Sequence, residues 1–297
     1  MKISKSLFKC IVCQENNLNT NNTNRVVCPN CNTKYINEAD IPILVGDINK
    51  IKNDISNSQN INPKWYLQEQ PEHETSRWRH HLKKRKIYVE TIIDKYLKEN
   101  NVKKAENILD LGCGDGNNLS FLSKYGKKLF GSDYNFTRLK RAKYKHLSAN
   151  LFLADINNYP ISDNSFDIIF FNHVLEHIPN DNKALEVVYK ILKPGGLLIL
   201  GIPNEGASWW QFAYKLEPYT LRNTDHIHFY TSESISEKLI ANEFDILEVE
   251  HLGYGPPCWS LDAMIRKYKI IDDLFENIGK LFFKYQSSSL YIICTKN

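Results

Sequence analysis

From Ile108 onward the chain alternates two kinds of pattern. Near-continuous apolar runs occur at Ile108-Leu109-Asp110-Leu111, Leu129-Phe130-Gly131-Ser132-Asp133, Leu151-Phe152-Leu153, Phe166-Asp167-Ile168-Ile169-Phe170-Phe171 and Leu197-Leu198-Ile199-Leu200-Gly201-Ile202. Each has the length of a strand. Between them lie stretches with helical spacing: Asn118–Tyr125 with Leu119, Phe121 and Leu122, the basic Thr137–Lys145, and about Asp181–Leu192, which Lys193-Pro194-Gly195-Gly196 stops. Strands that are apolar on both faces, alternating with helices, predict an α/β fold with a parallel sheet covered on both sides. Phe244–Glu250 alternates as a sixth strand would, and Leu290–Thr295 reads as a seventh. Between them, 253–287 is an insertion that opens on the rigid turn Gly253-Tyr254-Gly255-Pro256-Pro257. Leu261–Lys284 is expected to be mostly helical, with Ile265, Tyr268, Ile271, Leu274, Phe275 and Leu281 as apolar positions. Its expected roles are a substrate lid, a dimer surface or core packing.

The first 46 residues carry a different signal. Cys10-Ile11-Val12-Cys13 and Cys28-Pro29-Asn30-Cys31 are two C-x-x-C knuckles separated by fourteen residues. Each offers a pair of thiolates to a tetrahedral metal, and together they close the site. So small a unit lacks a core of its own, so bound metal would supply its folding energy. Residues 1–46 resemble a zinc ribbon, with a structural Zn2+ on Cys10, Cys13, Cys28 and Cys31 and a flexible hairpin tip at 16–24. Residues 47–76, rich in Asn, Ser, Gln and Pro, read as a linker. The basic run Arg77–Lys86 then enters an amphipathic helix ending near residue 99, with Ile87, Ile92, Ile93, Tyr96 and Leu97 apolar. The third unit is 77–297.

The candidate chemistry centres on Asp110-Leu111-Gly112-Cys113-Gly114-Asp115-Gly116-Asn117, a strand running into a glycine-rich turn that opens a helix. An acidic residue, Asp133, ends the next strand, where a carboxylate meets ribose hydroxyls at the switch point of a doubly wound sheet. The glycine spacing is G-x-G-x-G, and Asn117 occupies the third glycine of the dinucleotide fingerprint. Residues 108–119 resemble the cofactor motif of class I S-adenosylmethionine (SAM) dependent methyltransferases. The resemblance extends over about 105–204 through Ser165-Phe166-Asp167-Ile168-Ile169, Val174-Leu175-Glu176-His177-Ile178 and Leu192-Lys193-Pro194-Gly195-Gly196, in the small-molecule branch of that family.

The resemblance implies a Rossmann-like seven-stranded sheet closed by an antiparallel C-terminal hairpin, with SAM as methyl donor. It implies Asp110, Gly112, Gly114 and Gly116 at the amino-acid end of SAM, Asp133 at the ribose, Asp155 and Ile156 near the adenine, and Tyr134 and Asn172 as further cofactor-binding residues. His173 would then stand beside the methyl group. Arg77 or His81, in the helix that often covers the pocket, would reach the SAM carboxylate.

His173-Val174-Leu175-Glu176-His177 also spells H-x-x-E-H, an inverted zinc-protease signature, but it directly follows a strand inside a complete methyltransferase pattern. The chain is similar to ubiquinone-biosynthesis O-methyltransferases, whose Glu-x-x-Glu-His string binds a divalent cation; here His173 replaces the first glutamate. On the acceptor side, the aromatic-rich Pro203–Tyr214 precedes Asp225-His226-Ile227-His228-Phe229-Tyr230, and Thr231-Ser232-Glu233 opens a helix with a capping pattern. His226 and His228, with His173, are the candidate general bases for an oxygen or nitrogen nucleophile.

The acceptor is therefore expected to be a small molecule such as a sugar, lipid, quinone or secondary-metabolite precursor. RNA is the second reading, because a zinc ribbon on such a domain resembles ribosomal RNA guanine methyltransferases and Arg77–Lys86 would contact phosphates. A non-enzymatic SAM-binding or protein-interaction module is the third. A homodimer or protein partner would use the ribbon or 253–287.

Composition narrows these readings little. The formal net charge of +4 permits nucleic-acid binding without arguing for it. No apolar run approaches about 18 residues, so no membrane span is expected. Lysines interrupt the N-terminus, so no secretory signal is expected. Seven cysteines, three of them scattered beyond the ribbon, point to a reducing cytoplasm rather than a disulfide framework.

Overall fold

A computed structural model describes residues 7–16, 18–22, 25–61, 68–70, 74–222 and 225–297. The ribbon contributes β1 (Asn19–Asn22), β2 (Arg25–Val27), β3 (Lys34–Glu38) and β4 (Ile41–Ile43). Helix α1 (Ile48–Ile61) and helix α2 (Arg79–Glu99) follow. The α/β unit then runs β5 (Ala105–Leu111), α3 (Leu119–Leu122), β6 (Gly126–Asp133), α4 (Phe136–Lys145), β7 (Asn150–Leu153), β8 (Phe166–Asn172), α5 (Asp181–Ile191) and β9 (Leu192–Pro203). It closes with α6 (Ser208–Leu216), α7 (Pro218–Arg222), α8 (Ser232–Ala241), β10 (Asp245–Leu252), α9 (Trp259–Ile265), α10 (Lys269–Phe282) and β11 (Ser289–Thr295).

The sheet order is β1-β2-β3-β4-β7-β6-β5-β8-β9-β11-β10. The seven strands from β7 to β10 form the expected unit. β5 through β9 pair in parallel, and β11 enters antiparallel beside β9 with β10 outside it. The ribbon continues this sheet, because β4 pairs in parallel with β7 through Ile43 and Leu153. Phe8 packs edge-on against Phe152 at 5.1 Å and bridges to Ile161, so the ribbon shares the main core. The Asn-rich stretch contains β1, which pairs antiparallel with β2; positions 17, 23 and 24, and with them the expected hairpin tip, lie outside the described residues.

Several elements differ from the sequence reading. The stretch 47–76 contains a helix. Asp47 caps α1 by accepting from the Asn49 and Lys50 amides, and Ile51 is buried beside Ile41 and Ile43. The helix expected over 118–125 is the single turn α3. Ile87 of α2 faces solvent, while Val89, Ile92, Ile93 and Leu97 make the buried stripe. The 253–287 helix breaks into α9 and α10, and Leu274 and Leu281 point outward. The capping pattern at 231 holds: Thr231 and Ser234 exchange side-chain and backbone hydrogen bonds.

Candidate functional site

A cavity of about 890 Å3 opens at the C-terminal ends of β5 to β8. This is where open α/β sheets bind ligands. Of the residues singled out from sequence, Gly112, Asp133, Tyr134, Asp155, Ile156, Asn172 and His173 line it. Asp110, Gly114, Gly116, His226 and His228 are not among its lining residues.

The turn after β5 is built by packing. Gly112, Gly114 and Gly116 all have positive φ. A Cβ at Gly112 would come within 2.3 Å of Val174, and one at Gly114 within 2.4 Å of the Arg138 guanidinium. The glycines are required by the β8 loop and by α4, so close approach to a ligand is not their only reason. Asp133 holds this turn: its carboxylate accepts from the Gly114 amide at 2.8 Å and the Asn135 amide at 2.7 Å. Each oxygen keeps a lone pair for a further donor. Asp155 caps the following 3-10 turn by accepting from the Asn157 amide at 2.9 Å, which fixes Ile156 beside it.

Asp110 is buried, and its Oδ2 has no hydrogen-bond partner among the described residues. Burial, and then the Asp133 charge, push its carboxyl up to about 8. An orphaned buried carboxyl under a glycine turn fits an ammonium group, which would restore its charge.

The far end of the cavity is a cluster of imidazoles around a carboxylate. His173 sits at φ 53° just past β8 and is pinned by its amide on the Gly201 carbonyl at 2.8 Å. The left-handed backbone turns its ring into the cavity. Its Nε2 accepts from Arg85 Nη1 at 2.9 Å, and its Nδ1 lies 3.4 Å from Glu176 Oε1. Burial, and then Arg85, lower its pKa and keep the ring neutral. Glu176 is fully buried, and neither carboxylate oxygen has a hydrogen-bond partner among the described residues. Burial works to raise its pKa, but His173, His177 and His226 outweigh it and the net displacement is downward. His177 is drawn the other way: burial opposes its charge, and Asp225 and Glu176 raise its pKa on balance.

Ligand atoms of Glu176, His177 and His226 lie within 4.8 Å of one another. This nitrogen and oxygen donor set suits a first-row divalent cation. His226 reaches it from outside the cavity, anchored by Glu205 at 2.6 Å and stacked edge-on on His177 at 4.7 Å. His228 points elsewhere: its Nε2 meets the Ile178 carbonyl at 2.9 Å and its ring stacks on Tyr230. Asn172 lines the cavity, but its Oδ1 accepts from the Tyr291 hydroxyl at 2.9 Å. Arg77 is exposed, and His81 is buried against Gly253, so neither lines the cavity.

Three contributors went unread in the sequence. Lys50, Asp54 and Ile55 of α1 form part of the wall, and Asp54 Oδ2 accepts from the Tyr134 hydroxyl at 2.7 Å. Arg85 is a guanidinium deep in the protein that links His173 to Ser289. Trp78, at the start of α2, closes another side. Asp47 followed by Ile48, Ile51 and Ile55 was the available signal for α1.

In the ribbon, the four sulfurs of Cys10, Cys13, Cys28 and Cys31 lie within 4.8 Å of one another, with 3.6 Å between Cys10 and Cys31 and 3.5 Å between Cys13 and Cys28. Bonds of about 2.3 Å to a tetrahedral zinc would separate sulfurs by ~3.8 Å, so these residues fit that ion.

A family profile described as a methyltransferase domain matches residues 78–249. A ubiquinone biosynthesis O-methyltransferase of Psychrobacter cryohalolentis is 26% identical over 166 residues, covering 51% of this chain and 64% of that enzyme. The chain thus spans under two thirds of that relative's length. A ubiquinone/menaquinone biosynthesis C-methyltransferase of Rickettsia felis is 33% identical over 189 residues, covering 55% of this chain and 76% of that one. Among solved structures, a Bacillus halodurans C-125 methyltransferase superposes with a TM-score of 0.51 at 18% identity, covering 69% of this chain and 98% of that one. At that identity the likeness speaks for the fold.

Proposed function

The chain belongs to the class I SAM-dependent methyltransferases, and from that premise we propose that it methylates an oxygen or nitrogen of a small-molecule acceptor held at the His173 end of the cavity. The observation that carries this reading is the polarity of the cavity along its length. Carboxylates Asp133 and Asp155 stand at one end, and a neutral imidazole backed by a buried glutamate stands at the other.

SAM supplies an electrophilic sulfonium methyl when bound. The protein's part is binding, orientation and proton handling. Asp133 takes the ribose hydroxyls on its free lone pairs, Asp155 and Ile156 flank the adenine, and Asp110 balances the ammonium group. His173 Nε2 carries the lone pair of a neutral ring, so it can take a proton from an acceptor hydroxyl once Arg85 yields that nitrogen. Glu176 then stabilises the imidazolium from the Nδ1 side. Positioning supplies much of the rate in such an in-line displacement. A divalent cation on Glu176, His177 and His226 would instead lower the pKa of an acceptor hydroxyl directly.

The small-molecule reading gains support from the basic segment. Arg79 donates to the Lys267 carbonyl, Lys84 pairs with Asp272, and Arg85 is committed to His173 and Ser289. These cations are engaged within the protein, which weakens an RNA-binding role for Arg77–Lys86. The four-cysteine unit is proposed to hold a structural zinc with no open coordination position.

The test is SAM turnover against fractionated metabolites and RNA, paired with calorimetry of SAM alone. Methylated product in the small-molecule fraction that disappears in His173→Ala supports the reading. Product confined to RNA would replace it with the nucleic-acid reading, and SAM binding without product in any fraction would favour a binding module.

A further inference from the structure

The insertion carries a helix mounted with its polar side inward. On α10, Asp272 and Glu276 face the protein, 1% and 7% exposed, while Ile270 is 83%, Leu281 73% and Phe282 68% exposed. Asp272 meets Lys84 at 2.5 Å, and Glu276 accepts from the Gly253 amide at 3.1 Å. Gly279 lets the helix press onto Tyr254. Ile270, Leu274, Ile278 and Leu281 recur at helical spacing and make one apolar stripe facing solvent. The stripe continues onto α6, where Phe212 and Leu216 are exposed, because Trp209 packs on Phe283 at 4.8 Å. Tyr219 and Ser260, 2.9 Å apart, join the same lobe. A contiguous apolar surface of this kind marks an interaction site.

The acidic groups around the stripe are engaged, Glu217 by the Ser260 amide at 3.1 Å, and the unpaired cations stand at its two ends. Asp262 is committed to Arg266 at 2.9 Å, and Asp273 lies between Lys269 and Lys84 at 2.5 and 3.0 Å. Lys267 and Lys284 flank the two ends of α10, each against a tyrosine ring, Tyr268 at 5.0 Å and Tyr285 at 5.9 Å. No ion pair is found for either lysine among the described residues. Paired aromatic and cationic residues at both ends of an apolar stripe are the arrangement that anchors a helix at a lipid headgroup boundary.

We propose that this lobe seats on an anionic membrane surface, with α10 lying in the headgroup plane and its apolar stripe directed into the bilayer. No helix of the described residues is long and apolar enough to cross a membrane, so α10 lies on the bilayer rather than spanning it. A second copy of the chain fits the face less well, because a two-fold interface would set this lysine-rimmed surface against itself. The lobe adjoins the cavity: Arg266 stacks over Trp78 at 5.5 Å, and Trp78 is a lining residue. Docking therefore holds the cavity beside the bilayer.

The test is flotation of the full chain with phosphatidylcholine vesicles prepared with and without phosphatidylglycerol. Binding is expected with the anionic vesicles and should weaken as salt rises. Replacing both Lys267 and Lys284 with Gln should weaken it roughly 30-fold, at the usual contribution of a lysine near a charged surface. Leu281→Glu and Ile270→Glu should abolish flotation while melting at the wild-type temperature, since both side chains are exposed. Failure of the wild type to float with anionic vesicles would overturn the proposal, as would Glu variants that float like it. A dimer in sedimentation velocity that Leu281→Glu dissolves would assign the face to a second copy instead.

Discussion

The Tyr134 hydroxyl donates to Asp54 Oδ2 at 2.7 Å, and both residues line the cavity. One stands just past β6 and the other on the helix that follows the ribbon. The cavity wall on the Asp155 side is therefore assembled from segments on either side of the glycine turn. Asp54→Ala and Tyr134→Phe should each weaken SAM binding, and a double-mutant cycle should return a coupling of about 1 kcal/mol. Calorimetry on the four proteins measures it; strictly additive losses would show that the pair does not shape the site together.

Asp133 has a heavier duty. Its carboxylate satisfies the Gly114 and Asn135 amides and so holds the turn to the end of β6. Asp133→Ala leaves both donors unmet and should cost about 1–3 kcal/mol of stability, besides abolishing measurable SAM binding. Asp133→Asn keeps an acceptor oxygen and should recover most of the stability with little of the affinity. Denaturant melts and calorimetry, run on both variants, separate the two effects.

Asp110 gives a pH signature. Its folded-state pKa is raised from 3.8 to about 8, so the folded protein holds a proton there that the unfolded chain has released. Stability from this group is present at low pH and is lost as pH rises through about 8. Asp110→Asn should therefore melt higher than the wild type in alkaline buffer and bind SAM more weakly. SAM binding near neutrality should also release a proton from Asp110, seen as a buffer-dependent enthalpy. A buffer-independent enthalpy would mean that Asp110 does not meet the ammonium group.

The ribbon predicts a metal content. About one zinc per chain is expected, retained through gel filtration and lost when Cys10 and Cys28 are both replaced by Ser. Because Ile43 pairs with Leu153 and Ile51 packs behind the cavity wall, removal of the metal should also weaken SAM binding. Unchanged affinity in the metal-free protein would show that α1 holds its place without the ribbon's ion.

Much of this architecture was legible because apolar periodicity and glycine spacing are local signals. The runs around Ile108, Phe130, Phe152 and Phe170 became strands, and the turn at Gly112 came to rest on the cavity. What was not legible depends on packing across the fold. Asp47, Ile48, Ile51 and Ile55 mark α1, but surrounding Asn and Ser residues hid a helix that tertiary burial of Ile51 stabilises. Arg85 lies within a run of surface-like cations, and only the approach of β8 and β11 makes it a buried partner of His173. His226 and His228 read as the stronger candidate bases in the sequence, yet the Ile178 carbonyl engages the Nε2 of His228. The apolar positions of α10 showed helical spacing, but nothing in that spacing says which side meets the protein; the carboxylates on Lys84 and Arg266 decide it.

The pairing of β4 with β7 has a bearing on how the chain acquires its structure. Without β4, β7 would be an open edge of the parallel sheet, able to recruit a strand from another molecule. Its cover is made early in synthesis, yet it must wait for a partner more than a hundred residues later in the chain. Closing so long a loop is slow. In that interval two cysteine knuckles and a bare strand are exposed together, and early metal capture by the knuckles would keep β4 preformed for β7 to meet.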